Sequence, residues 1–150
     1  MNPTLVAALA YARGGWSVIP VRGNTNKPDL IEWKEYASRI ASQDEILAWF
    51  GGWPDANLAV VTGRLSNLTL IDVDERHDGV ASAKTLTLPR TWTVKTPHGW
   101  HLYYLYTPDL VSRNGYLPGI DVKNDGGCGG CEPSVRDGKR YTVIEPVKGQ

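Results

Sequence analysis

The stretch NLTLIDVDERHDGV, Asn67 to Val80, runs apolar and then ends in two aspartates, Asp72 and Asp74, one residue apart. On a β-strand, residues two apart point to one face. The two carboxylates therefore project side by side, while Ile71 and Val73 face the other way. Carboxylates about 7 Å apart along a strand repel one another unless a positive charge lies between or beside them. A divalent cation supplies that charge, and oxygen-only ligands select Mg²⁺ or Mn²⁺ over zinc. The plainer alternative is a strand end at which an aspartate is solvated and caps the turn formed by Glu75-Arg76-His77-Asp78-Gly79. The two alternatives differ in stability. Removing one of two repelling carboxylates is expected to leave the metal-free fold equally or more stable, whereas removing a capping aspartate weakens it.

Two further polar residues interrupt apolar runs. His101 heads the aromatic run HLYYLY, behind a turn at Thr96 to Gly99 that can bring backbone amides close to a ligand. The histidine is either a donor to a phosphate or a residue hydrogen-bonded at a strand start. Asp121 stands between Ile120 and Val122, where a core strand should carry no charge, so it needs a partner. It could be the third carboxylate of the same metal site, with Lys123 sharing its face.

The elements that must position these residues follow from periodicity. Pro3 to Arg13 has helical spacing and a Gly14-Gly15 stop; SQDEILAWFGGW has a Ser42–Glu45 capping box and a Gly51-Gly52 stop. WSVIPV, NLAVVTG, LTLIDVD, TWTVKT, HLYYLY, GIDVK and RYTVIE read as strands, and a short helix fits near Ala81 to Lys84. Two helix–strand units come first and a strand-and-turn half follows, within one domain over residues 1–150. That length suffices for one ordinary core. The formal net charge is zero, so a nucleic-acid surface would have to be a local patch. The apolar runs are too short to span a bilayer and the start lacks a basic leader; the expectation is a cytoplasmic protein with no membrane partner. The two cysteines, Cys128 and Cys131, have zinc-ligand spacing but too few companions for a four-ligand site. Two free or redox-sensitive thiols is the expectation.

LIDVD, then GWHLYY, then GID, in this order, resemble the three motifs of the archaeo-eukaryotic primase superfamily. More closely, the chain resembles the bifunctional primase/polymerase N-terminal domain of bacterial, plasmid and phage replication proteins. The flanks GWSVIPV, NKPDLIEWKEY, ILAWFGGWPDANLAVVTG and LPRTWTVKTPHGWHLYY extend the likeness over roughly residues 5–145. The resemblance implies an α/β (α+β) primase-polymerase core: a helix–strand unit with a small RRM-like antiparallel sheet. It implies two divalent ions, Mg²⁺ or Mn²⁺, on Asp72, Asp74 and Asp121. His101 would contact the phosphates of an incoming nucleoside triphosphate, with Lys123, Ser134 and Lys139 as further phosphate contacts. The activity implied is template-dependent nucleotidyl transfer on single-stranded DNA with a primer, in replication of a phage, plasmid or integrated element. A helicase or a helical C-terminal extension is the partner such domains commonly have, so the chain reads as a fragment or a minimal stand-alone version.

The departures matter. Gly99 stands where the second motif usually has serine, which loses a hydroxyl to phosphate. Arg136 stands where relatives often have histidine, and CGGCE replaces an apolar strand with a loop expected to be looser. The rival class is a non-catalytic nucleic-acid or nucleotide-binding module of the same fold. A nucleotide-sugar transferase using D-x-D accounts less well for His101 and Asp121. Trp100 is a candidate base-stacking residue, with a core role as the equal alternative; Lys27, Lys34 and Arg39 are candidates for a template groove, with a solvated face the favoured alternative for each.

Overall fold

The first helix is set by its ends. In the computed structural model, which describes residues 1–145, the Asn2 side chain accepts from the amides of Thr4 and Leu5, and Pro3 opens α1 (Pro3–Arg13) where its missing N–H costs nothing. Helix α2 (Gln43–Gly52) carries the expected capping box: Ser42 Oγ accepts from Glu45 N, and Glu45 reaches back to Ser42 N. A third helix, α3 (Gly79–Lys84), follows the aspartate pair. Among the described residues no helix is long and apolar enough to cross a membrane.

Among the described residues two antiparallel sheets and a small hairpin carry the rest. Strands β1 (Ser17–Val21), β2 (Asn57–Val61) and β8 (Cys128–Gly130) form one, in the order β1-β2-β8. Pro20 is tolerated because β1 lies at an edge. The second has six strands in the order β11-β4-β5-β3-β7-β6. They are β3 (Leu68–Asp74), β4 (Trp92–Thr96), β5 (Gly99–Leu105), β6 (Arg113–Leu117), β7 (Ile120–Lys123) and β11 (Thr142–Glu145). A small hairpin, β9 (Val135–Arg136) with β10 (Lys139–Arg140), follows β8. The fold is mixed α+β, as expected from the sequence.

Three apolar layers hold it. Helices α1 and α2 pack on the small sheet through Ala8, Val18, Ile46, Phe50 and Leu58. Val60, Leu68, Leu70, Val94, Tyr103 and Tyr141 form the core between the two sheets. Ile71, Val73, Ile120 and Val122 lie on the far face of the large sheet, with Ala83 of α3 against them. The alternation of β3 is therefore satisfied on both faces: Leu68 and Leu70 point toward the small sheet, and Asp72 and Asp74 continue that same face beyond the apolar core.

One expectation changes. The CGGC segment is not a loosened loop; it is strand β8, paired to β2 with Gly129 opposite Val60. Arg39 sits on a solvated face, half exposed in an ion-pair network. Its guanidinium forks onto Glu45 at 2.7 and 2.9 Å, bonds Glu35 and lies over the Tyr36 ring. Bonds from Arg39, Tyr36 and the Ser42 amide hold the Glu45 carboxyl far below the ordinary carboxylate range. A depressed folded value means that this stabilisation is complete above the unfolded carboxylate pKa of about 4.3 and is lost as pH falls below it. In urea melts from pH 6 down to pH 2, Glu45→Gln should lose stability less steeply than the wild type. Parallel curves would mean that the network contributes nothing.

Candidate active site

Strand register assembles the centre. Asp72 lies opposite His101 of β5 on one side and opposite Asp121 of β7 on the other. The three thus form one row across β5-β3-β7, and Asp74 is one pleat further along the same face. The two sheets splay apart here and leave a cavity of about 350 Å³, within the usual range for a small-molecule site. Its wall includes Asp72, Asp74, Asp121, His101, Lys123 and Ser134. Sequence reasoning did not assign Arg76, His98, Asn57 or Asn114, which line it too, nor did it give Arg136, which the hairpin places in the wall, a role there. Lys139 is not in the wall; it sits exposed on β10, opposite Arg136.

Each carboxylate has its own partner. Asp74 caps the 3₁₀ turn Glu75–His77 by accepting from the Arg76 amide at 2.9 Å. The same Arg76 closes a fork on it, Nε to Oδ1 at 3.1 Å and Nη2 to Oδ2 at 2.9 Å. Arg76 accordingly holds Asp74 below the ordinary carboxylate value. Asp121 Oδ1 accepts from the Gly115 amide at 2.7 Å, and its Oδ2 lies 3.9 Å from Lys123 Nζ, which donates to Asn114. Asp72 Oδ2 lies 3.6 Å from His101 Nε2, too long for a strong hydrogen bond. Burial pushes the Asp72 carboxyl up, but His101 and Lys123 outweigh it and leave it below the ordinary value. The expected mutual repulsion of Asp72 and Asp74 is thus answered by cations of the chain itself.

His101 is buried, and its ring is fixed from behind. Nδ1 lies 3.0 Å from the Gly130 carbonyl, so Nδ1 carries the proton and Nε2 faces Asp72. Strand β8 can lie this close because of its glycines. A Cβ at Gly129 would stand 3.0 Å from Leu70 and 3.6 Å from His101, and one at Gly130 would meet the Tyr141 ring at 3.0 Å. The two glycines of CGGC therefore form the roof of the site. Cys128 and Cys131 are free thiols. Burial pushes Cys128 up to about 11 and Cys131 higher still, which disfavours the thiolate that a metal requires.

The remaining sequence candidates are placed as follows. Ser134 Oγ is committed to β2, accepting from Leu58 N and donating to Leu58 O, both at 2.9 Å. It ties β2 down rather than presenting a free hydroxyl. Trp100 lies on the opposite face of the sheet from the cavity, with Lys95 Nζ 4.4 Å above its ring. Asn57, buried at the head of β2, donates to Thr25 O and Val135 O and accepts from Val135 N, joining the 22–27 loop and the hairpin over the cavity. His98 and Asp137 pair at 3.1 Å across the cavity edge.

The donor set fits a hard divalent cation in its chemistry: three carboxylates and no thiolate, with Arg76, Lys123 and Arg136 in the same wall. As they stand, no three His, Cys, Asp or Glu side chains among the described residues converge on one coordination centre. Asp74 is engaged by the Arg76 fork and Asp121 by the Gly115 amide.

The chain is similar to glutamate–tRNA ligase 1 of Syntrophomonas wolfei, 30% identical over 112 residues, which are 72% of this chain and 22% of that protein. It thus spans about a fifth of the length of that relative. It matches the bifunctional DNA primase/polymerase, N-terminal, family over residues 8–149, nearly its whole length, and it belongs to that family.

Proposed function

We propose that the cavity is the active site of a template-dependent nucleotidyltransferase, which extends a primer on single-stranded DNA using nucleoside triphosphates. The observation that carries this reading is the row His101–Asp72–Asp121, with Asp74 one pleat away, in the wall of a cavity that Arg76, Lys123 and Arg136 also line. Carboxylates and permanent cations lining one cavity are the charge pattern that a metal–triphosphate requires. Asp72, Asp74 and Asp121 would hold two Mg²⁺ or Mn²⁺ ions. The chemistry such ions supply when bound is a lowered pKa of the attacking 3′-hydroxyl and neutralised charge on the leaving pyrophosphate. The chain's own residues do the rest. Lys123 and Arg136 draw the phosphates in, and His101, its Nδ1–H held on the Gly130 carbonyl, turns Nε2 toward the phosphate space beside Asp72. Strand β8 roofs the site and limits water. The setting is replication of a phage, plasmid or integrated element.

The rival, a non-catalytic nucleotide or DNA-binding module, is favoured by one observation: both oxygens of Asp74 are closed by Arg76. The ligase relative adds no third reading, because only 22% of it is matched. Thermal melting separates the two. The enzyme reading expects Mn²⁺ with a deoxynucleoside triphosphate to raise Tm well beyond either alone. At a hundredfold excess over Kd the gain is about 2.7 kcal/mol, or roughly 5–10 °C for a chain of this size. Primer extension on the same sample should then be metal-dependent. Stabilisation by oligonucleotide alone, with no extension, would establish the module instead.

A further inference from the structure

The three carboxylates of the cavity are held very differently. Asp72 lies 3.6 Å from His101 Nε2 and Asp121 lies 3.9 Å from Lys123 Nζ, each contact to a single nitrogen. Asp74 is engaged through both oxygens by the Arg76 fork, with the Arg76 amide as a third donor. A forked guanidinium–carboxylate pair is the strongest of these arrangements, and a second cation can use Asp74 only by displacing the fork. That exchange is local. The pair is two residues apart on a 3₁₀ turn, and the Arg76 side chain is half exposed. Opening the fork leaves the amide cap and β3 in place.

The displaced guanidinium would have somewhere to go. Arg76 lines the same cavity as Lys123 and Arg136. Asp72, Asp74 and Asp121 share the cavity wall with Arg76, Lys123 and Arg136, and Arg136 lies 3.9 Å from Asp137 at its edge. A divalent ion arriving alone would add two positive charges there and leave the Arg76 guanidinium unpaired. A divalent ion arriving with a triphosphate brings the anion that the freed guanidinium can fork.

We infer that Arg76 is an exchangeable counter-ion: it holds Asp74 in the empty site and transfers to the phosphates of the nucleotide when a divalent ion takes Asp74, making ion and nucleotide binding cooperative. This rests on the reading of the cavity as a metal–triphosphate site. It makes Arg76 a positioning residue whose effect shows in binding before any turnover.

The test is titration of the whole chain with Mn²⁺, followed by the loss of the free-ion paramagnetic signal. It is run with and without a non-hydrolysable deoxynucleoside triphosphate and corrected by a protein-free titration. The wild type should bind Mn²⁺ about tenfold more tightly with the triphosphate, inside the usual range of coupling between sites. Arg76→Gln keeps the amide cap and so the fold, which an unchanged melt would verify. It should bind Mn²⁺ alone several-fold more tightly than the wild type, bind the triphosphate more weakly, and show coupling of about twofold or less. Arg76→Lys, a point charge without a fork, should fall between them. If the wild type binds both ligands and Arg76→Gln matches it in both affinities, the exchange is overturned and the active-site reading stands. If the wild type binds neither Mn²⁺ nor the triphosphate, both fall together.

Discussion

Replacing Asp72 by asparagine should abolish primer extension, with a loss of about a thousandfold or more, equivalent to roughly 4 kcal/mol of transition-state stabilisation. Asp72 is the one residue with a candidate partner on both sides, His101 across β5 and Asp121 across β7. Asparagine keeps its shape but removes the negative charge that a divalent ion needs. The stability of the variant separates catalysis from structure. Crowded carboxylates alone would predict relief on losing a charge. The pull of His101 and Lys123 on Asp72 reverses that sign: its depressed carboxyl pKa means that the fold favours the charged form above the unfolded carboxylate pKa. Asp72→Asn should therefore melt slightly below the wild type at pH 7, and the difference should shrink as pH falls below about 4. Asp74→Ala should cost more, about 1 kcal/mol, because it loses the cap on the 3₁₀ turn. Extension assays and melts on both variants check this. An Asp72→Asn protein that still extends primers at near wild-type rate would sink the assignment of the centre.

What could be read from the sequence divides along a physical line. Period-two alternation is local, so the shared face of Asp72 and Asp74 was legible in LIDVD, and the capping box of α2 was legible in four residues. The pairing of Asp72 with Asp121 joins residues far apart in the chain, and no local pattern encodes its register; the stray charge in GID made Asp121 a candidate and the resemblance joined it to the pair. Strands β6 and β8 escaped notice for opposite reasons. Arg113 to Leu117 is an exposed polar edge with an irregular register and has no apolar face to alternate. Cys128 to Gly130 is nearly side-chain-free because it must lie against His101 and Tyr141. Arg76 was passed over as part of a solvated turn, since nothing in ERHDG signals that its side chain folds back onto Asp74. Ser134 and Lys139 show the limit of carrying roles by motif. One hydroxyl is committed to Leu58 and one ammonium lies outside the cavity, while Arg136, opposite Lys139, is the hairpin's residue in the wall.

Gly99 leads to the second large effect. A serine there is what the resemblance to relatives would restore, and a hydroxyl facing the phosphates would be expected to tighten nucleotide binding. Packing predicts the reverse. Gly99 pairs with Asp74 at the end of β3, and a Cβ added to it would overlap the Val73 carbonyl oxygen and stand 2.8 Å from the Val73 carbonyl carbon. Those atoms are backbone in the centre of a six-stranded sheet, flanked by β5 and β7, so no side chain can swing aside. The obstacle is space rather than dihedral strain. Room can be made only by parting β5 from β3 in the pleat that holds Asp74, next to the pair His101–Asp72. Both Gly99→Ala and Gly99→Ser should therefore destabilise the protein by about 3 kcal/mol or more, a fall in Tm of roughly 6–12 °C. They should also lose nucleotide-dependent stabilisation with it. Gly51 in α2 is the matched contrast. A Cβ there meets nothing within 4 Å, so Gly51→Ala should raise stability by up to about 1 kcal/mol. Urea melts of the three variants decide the matter. A Gly99→Ser protein as stable as the wild type, with tighter triphosphate binding, would show that the β3–β5 contact yields and that the hydroxyl, not the close approach of the strands, is what this position is for.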